Sequence, residues 1–177
     1  MKATAIGLAV LCCLALLSCT ESNGPGTGTP GEGSALDVGR TPGSICVPRG
    51  KDGAKTFGAM DLRNVTDSDV VITRVGLAGA RGMEVVGSQV VASTPNSQVV
   101  ADGWPPLGRD LRQEFATGRS ATRTVLGPNE VVTLWTGLRA VSGDGSARAV
   151  RIYYRQGERH YRQDGVDSVR VTSRSSC

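Results

Sequence analysis

The apolar residues of this chain fall into short runs that alternate with polar positions and are separated by turn-forming residues. Within residues 70–77, the odd-numbered Val71, Thr73 and Val75 are expected on one side of a strand and the even-numbered residues on the other. Similar runs recur from Ile45 to the end of the chain. The predicted strands are 56–63, 70–77, 83–92, 122–126, 130–141, 148–155, 159–163 and 168–172.

The segments between these runs carry strong turn signals. Residues 142–146 read Ser-Gly-Asp-Gly-Ser, in which Asp and Gly tolerate the positive φ of tight turns. Residues 107–115 could hold a short helical turn, although Gly108 and the nearby prolines weaken it. No 12-residue amphipathic run is present. The pattern predicts an all-β fold, most simply an immunoglobulin-like (Ig-like) β-sandwich of about seven or eight short antiparallel strands. A small barrel is the alternative.

Residues 20–44 have little to bury and contain a Gly-, Pro- and Thr-rich run at 24–33. We expect residues 19–44 to form a flexible, disordered linker and residues 45–177 to form the β-sandwich domain. Residues 26–31 match the spacing G-x-G-x-x-G, but no predicted strand precedes them and no helix follows. The match therefore does not indicate a dinucleotide site.

The amino-terminal segment has the features of an export signal. Lys2 supplies a positive charge, and the apolar run from 5 to 17 ends at Ser18. A run of about 13 apolar residues is shorter than the roughly 20 needed to cross a bilayer. The sequence Leu16-Leu17-Ser18-Cys19 resembles the lipobox of bacterial lipoproteins.

This resemblance implies that residues 1–18 are a cleaved signal peptide and that Cys19 carries the lipid. The protein would then be anchored to the cell membrane or outer membrane, with its domain outside the cytoplasm. An uncleaved helical anchor is the alternative. Removing Lys2 lowers the formal net charge from +4 to +3, a mild excess compatible with anionic surfaces. The modest charge and the expected location both disfavour nucleic acid as a partner.

The five cysteines divide between processing and structure. Cys12 and Cys13 leave with the signal peptide, and Cys19 is the lipidated residue. Cys46 and Cys177 remain, and in an oxidising compartment we expect them to form a disulfide. Two free thiols are the alternative.

The sequence offers few groups for catalysis or metal binding. His160 is the single histidine, and no G-x-S-x-G motif is present. Zinc and copper sites need more Cys, His or Met ligands than remain. Acidic turns at 67–69 and 164–167 could hold calcium, but neither matches an EF-hand loop and such residues commonly cap backbone amides. We therefore predict no enzyme activity, no metal and no cofactor.

Two segments are candidates for binding. Trp104, followed by two prolines in the long stretch 93–121, could present an aromatic platform to a sugar or peptide, or fold back to cap one end of the sandwich. In the predicted hairpin, Arg151, Tyr153 and Arg155 share one face. This strip could bind phosphate or carboxylate groups, or be an ordinary solvated sheet face.

These observations support three functional hypotheses. The first is a non-enzymatic envelope lipoprotein, an interaction or structural module tethered to the membrane that contacts another envelope protein. The runner-up is a module that binds anionic envelope glycan or lipid headgroups through the Arg/Tyr hairpin and Trp104. An enzyme is the third.

Replacing Cys19 by Ala tests the anchor. We expect Cys19→Ala to abolish lipid labelling and to release or mislocalise the protein without unfolding its domain, because the acceptor thiol is lost. Metabolic labelling with a fatty acid and membrane fractionation measure both effects. A Cys19→Ala protein that remains labelled and membrane-bound contradicts the lipobox interpretation.

Overall fold

The computed structural model describes residues 29–39, 41–49, 53–94, 99–174 and 177. The predicted signal peptide, Cys19 and the first part of the predicted linker lie outside these residues. Within them, no helix is both long and apolar enough to cross a membrane.

The described chain consists of strands and one short helix. The strands run in chain order: β1 Gly31–Glu32, β2 Leu36–Asp37, β3 Ser44–Pro48, β4 Ala54–Asn64, β5 Val70–Ala78, β6 Met83–Ala92, β7 Val99–Asp102, β8 Arg119–Ser120, β9 Val125–Leu126, β10 Val131–Ala140, β11 Gly145–Ala147, β12 Ala149–Gln156, β13 Arg159–Asp164 and β14 Ser168–Thr172. The helix α1, Arg109–Thr117, lies between β7 and β8.

The strands form three sheets. Sheet 1 has the order β1-β13-β12-β5-β9, and sheet 2 has the order β2-β4-β10-β6-β8 with β7 also paired to β4. Sheet 3 has the order β11-β14-β3. All pairings are antiparallel except β1 with β13 and β3 with β14, which are parallel.

Sheets 1 and 3 pack side by side on the same face of sheet 2. Along β10, Leu134 belongs to the core shared with sheet 1, and Leu138 belongs to the core shared with sheet 3. Successive side chains of a strand alternate between faces, so these two even-numbered residues point the same way. Ile72 and Ile152 of sheet 1 and Val171 of sheet 3 complete the two cores and are fully buried.

The prediction of an all-β sandwich is confirmed. Eight of the described strands contain five or more residues, and the others have two to four. Seven of these eight were predicted, whereas β3 was not, and the predicted strand 122–126 is reduced to the two-residue β9. Two-residue strands have no detectable alternation, so the sequence pattern could not show them. The predicted helical turn at 107–115 is the nine-residue α1.

The side-chain alternation predicted for residues 70–77 is wrong beyond Thr73. Tyr153 pairs with Arg74 and Tyr154 pairs with Ile72, so Thr73 is an extra residue on β5. Such a β-bulge reverses the faces that follow it. As a result Val75 enters the core and Arg74 faces solvent.

The predicted linker 19–44 is wrong for residues 31–38, which belong to the domain. Leu36 is 1% exposed and lies in the core between sheets 1 and 2. The Ala35 N–H donates to the Tyr154 hydroxyl at 3.1 Å. Gly33 passes so close to this tyrosine that a Cβ would overlap the ring. The boundary at residue 45 was misplaced because few apolar residues mark this segment and its pairing partners are distant in sequence.

The predicted disulfide is confirmed. Cys46 and Cys177 are joined with an S–S distance of 2.03 Å and a Cα–Cα distance of 6.0 Å.

Asp144, in the turn before β11, accepts hydrogen bonds from the Ser173 N–H at 2.7 Å and the Ser173 hydroxyl at 2.8 Å. These bonds lower the pKa of Asp144 to about 2. The carboxylate therefore stays charged at neutral pH and fixes the chain just beyond β14.

Replacing Leu36 by Ala tests whether the amino-terminal strands are part of the domain. We expect Leu36→Ala to lower the free energy of unfolding by about 2–5 kcal/mol, because it leaves a cavity in the core. Val65→Ala is the control, since Val65 is 49% exposed. Urea unfolding measures both variants, and equal small losses would place Leu36 outside the folded unit.

Candidate functional site

The outer surface of sheet 1 carries a set of cationic side chains around one tyrosine. In β12, Val150, Ile152 and Tyr154 are buried, so the residues between them face solvent, as predicted. Neighbouring strands add one arginine each. We call this surface the arginine face, and its members are Arg74, Arg151, Tyr153, Arg155 and Arg162.

Tyr153 lies at the centre of the arginine face. The Arg74 guanidinium carbon is 3.8 Å from the centre of the Tyr153 ring, a cation–π contact. Arg162 is the cross-strand partner of Tyr153 on the other side. The aromatic ring therefore separates two arginines that would otherwise repel each other.

Arg151 has a structural role in this surface. Its Nε donates to Asp164 Oδ1 at 2.6 Å, and its Nη2 donates to Asp164 Oδ2 at 3.0 Å. The hydrogen bonds with Asp164 raise the pKa of Arg151, and those from Arg151 lower the pKa of Asp164. Arg148 also reaches Asp164 Oδ2, at 3.0 Å. The carboxylate thus neutralises Arg151, one of the three residues named above as candidate ligand contacts.

The other arginines of the face keep charge available for a ligand. Among the described residues, Arg74 and Arg155 form no ion pair, and Arg155 donates to the Gly157 carbonyl at 3.2 Å. Arg162 lies 3.9 Å from Glu32, whose side chain is 90% exposed. We had not placed Arg74 on this surface, because the bulge at Thr73 has no signal in the sequence.

Trp104 lies against the opposite side of the molecule, on the outer surface of sheet 2. Its indole covers the cross-strand pair Gly87 and Gly137, where a Cβ on either glycine would overlap the ring. The Phe115 ring meets it edge-on, with 5.1 Å between ring centres, and Phe115 in turn contacts Trp135. The segment folds back, as one alternative predicted, but it covers a face of the sandwich instead of capping one end.

A cleft of about 700 Å³ lies beside Trp104. Backbone contacts hold this loop in place: the Gly103 N–H donates to the Ala54 carbonyl at 3.0 Å, and the Thr56 hydroxyl donates to the Gly103 carbonyl at 2.7 Å. The cleft is lined by Ala54, Val86, Gly103, Trp104, Pro105, Leu107, Arg112 and Arg139.

The structure therefore separates residues that we had expected to act together. Trp104 is on the outer side of sheet 2, whereas Arg151, Tyr153 and Arg155 are on the outer side of sheet 1, with the core between them. In the described part of the chain, no three His, Cys, Asp or Glu side chains are grouped to hold a metal ion.

Adding a methyl group at Gly137 tests the contact that positions Trp104. We expect Gly137→Ala to displace the indole, shift its fluorescence emission to the red and lower the free energy of unfolding by about 1–3 kcal/mol. Gly127→Ala is the control, because a Cβ there has its nearest contact at an ordinary 3.8 Å. An unchanged emission spectrum would contradict the close packing of Trp104 on the glycine pair.

Comparisons with known proteins assign no family to the chain. No protein-family model and no curated protein matches the chain. Among solved structures, it is similar to the ASH/PapD-like domain of human CEP192 (PapD-like domain 7), at 11% sequence identity. The match covers 98% of this chain and 100% of that chain, with a TM-score of 0.41.

Proposed function

We propose that this protein is a non-enzymatic, lipid-anchored binding module of the bacterial cell envelope. In this proposal Cys19 holds the protein on the membrane, and the arginine face binds the phosphates of anionic lipid headgroups on the same surface. The observation that carries the proposal is the position of the arginine face beside the edge where the chain enters the domain.

The entry point is the edge strand β1, which pairs with β13 so that Glu32 is opposite Arg162. Neighbouring strands lie about 4.8 Å apart, so β5, three strands away, is within about 15 Å of β1. The whole arginine face is therefore close to the point at which a tether would join the domain.

Because residues 31–38 belong to the domain, the tether is shorter than the predicted linker 19–44. Cys19 and Gly31, where β1 begins, are twelve residues apart, and twelve residues span at most about 43 Å whatever their conformation. With the domain beginning at β1, a lipid on Cys19 keeps the edge of sheet 1 within this distance of the bilayer. The tether therefore exposes the arginine face to a high effective concentration of lipid headgroups.

The charge of these arginines is sufficient to attach the domain to the membrane in addition to the lipid. Arginine near an anionic bilayer contributes about 1 kcal/mol each, so Arg74, Arg155 and Arg162 together supply about 3 kcal/mol. The planar guanidinium can form paired hydrogen bonds with a phosphate. Stable membrane attachment commonly combines a lipid with such a basic surface.

The absence of enzyme activity is part of this proposal. His160 pairs across the hairpin with Arg155, whose guanidinium carries hydrogen-bond donors and no acceptor. Its strand is exposed at this point. Neither feature is suited to a general base, which needs an acidic or hydrogen-bonding group to orient it.

Vesicle binding of the mature chain from residue 19, with Cys19 replaced by Ala so that it carries no lipid, tests the arginine face separately from the anchor. We expect binding to vesicles containing phosphatidylglycerol, weaker binding at high salt, and none to pure phosphatidylcholine. Replacing Arg74, Arg155 and Arg162 together by Gln should weaken the binding by roughly 100-fold.

The matched control changes the same number of charges on other surfaces, at the exposed residues Arg63, Arg81 and Arg109. This control should lose much less binding. Equal losses in the two triple variants would indicate non-specific attraction and overturn the proposal. Binding to an isolated anionic wall polymer, but not to the vesicles, would replace lipid by glycan as the ligand.

A further inference from the structure

We propose that the cleft beside Trp104 is a second binding site, which takes a sugar ring carrying a carboxylate. The cleft lies on the side of the sandwich opposite the arginine face and involves none of its residues. The inference is therefore independent of the proposed attachment to lipid.

The aromatic wall of the cleft is fixed in advance of any ligand. Trp104 is packed on Gly87 and Gly137, and Phe115 supports its edge. The Gln89 side chain donates a hydrogen bond to the Phe115 carbonyl, which ties the end of α1 to sheet 2. A site that is already ordered loses little conformational entropy when a ligand binds.

The charge in the cleft comes from two arginines in different situations. Arg139 is paired with Glu84, with 2.7 Å between Nε and Oε1. Arg112 forms no ion pair with any other residue that the structure describes, and its Nε donates to the Pro106 carbonyl at 3.2 Å. This bond orients the guanidinium and leaves its terminal nitrogens able to bind one carboxylate.

The other residues that line the cleft favour a ligand with an apolar ring face. Trp104 and Pro105 supply ring surfaces, and Val86 and Leu107 supply aliphatic groups. The C–H groups of a pyranose pack well on the electron-rich face of an indole, while its hydroxyl groups stay hydrated in a surface cleft. The volume of about 700 Å³ is in the usual range for small-ligand sites. An acidic sugar matches both the ring wall and the Arg112 guanidinium.

The pair N-acetylmuramic acid and N-acetylglucosamine tests this inference, because the first differs from the second by a lactyl ether that carries the carboxylate. We expect N-acetylmuramic acid to shift the NMR signal of the Trp104 indole N–H and to bind about tenfold more tightly than N-acetylglucosamine. The Trp135 indole, which is fully buried, should shift little.

Substitutions on α1 separate the carboxylate contact from general charge. Arg112→Gln should reduce the affinity for N-acetylmuramic acid about tenfold and leave that for N-acetylglucosamine unchanged. Arg109→Gln, an exposed position on the same helix, is the matched control and should change neither. Trp104→Phe should weaken both sugars.

Three results would overturn the inference. They are equal affinities for the two sugars, no response of the Trp104 indole at millimolar concentrations of either, and equal effects of Arg112→Gln and Arg109→Gln. Circular dichroism verifies that each variant is folded, and both arginines are exposed, so neither substitution disturbs the core.

Discussion

The burial of β10 on both of its faces organises this molecule. Leu134 and Leu138 point into the two cores beneath sheets 1 and 3, and Trp135 points the other way, under the segment that contains Trp104 and α1. Because both faces of this strand are covered, other parts of the chain pack on each side of sheet 2. The protein therefore has two outer surfaces that share no side chains, the arginine face on sheet 1 and the cleft on sheet 2.

These two surfaces differ in how their charge is arranged. On the arginine face, Asp164 neutralises Arg151 and so fixes the beginning of β12 against the end of β13, while the surrounding guanidinium groups remain available. In the cleft, Arg112, which forms no ion pair with the described part of the chain, stands beside an ordered aromatic wall. An extended cationic surface suits many weak contacts with headgroups, whereas a single cation beside a ring suits one small acidic ligand. The same fold thus supports two kinds of recognition.

The sequence was sufficient for the features that depend on local alternation or on cysteine chemistry. It predicted seven of the eight longer strands in the described chain, the outward face of β12 and the Cys46–Cys177 bond. It could not predict β1 and β2, which consist of two residues each and pair with strands far along the chain. It also could not predict the bulge at Thr73 or the packing of Trp104 on the glycine pair, because both are determined by contacts between distant segments.

The short strands β1 and β2 also determine how the molecule responds to mechanical tension. A pull on the chain before Thr29 loads these strands first, and each has only two register pairs with its neighbour. Peeling them releases the segment up to β3 and lengthens the chain outside the domain. The load then reaches Cys46, and beyond it the disulfide closes the rest of the domain into a covalent loop. The amino-terminal segment therefore acts as an extensible link in series with a domain that resists unravelling.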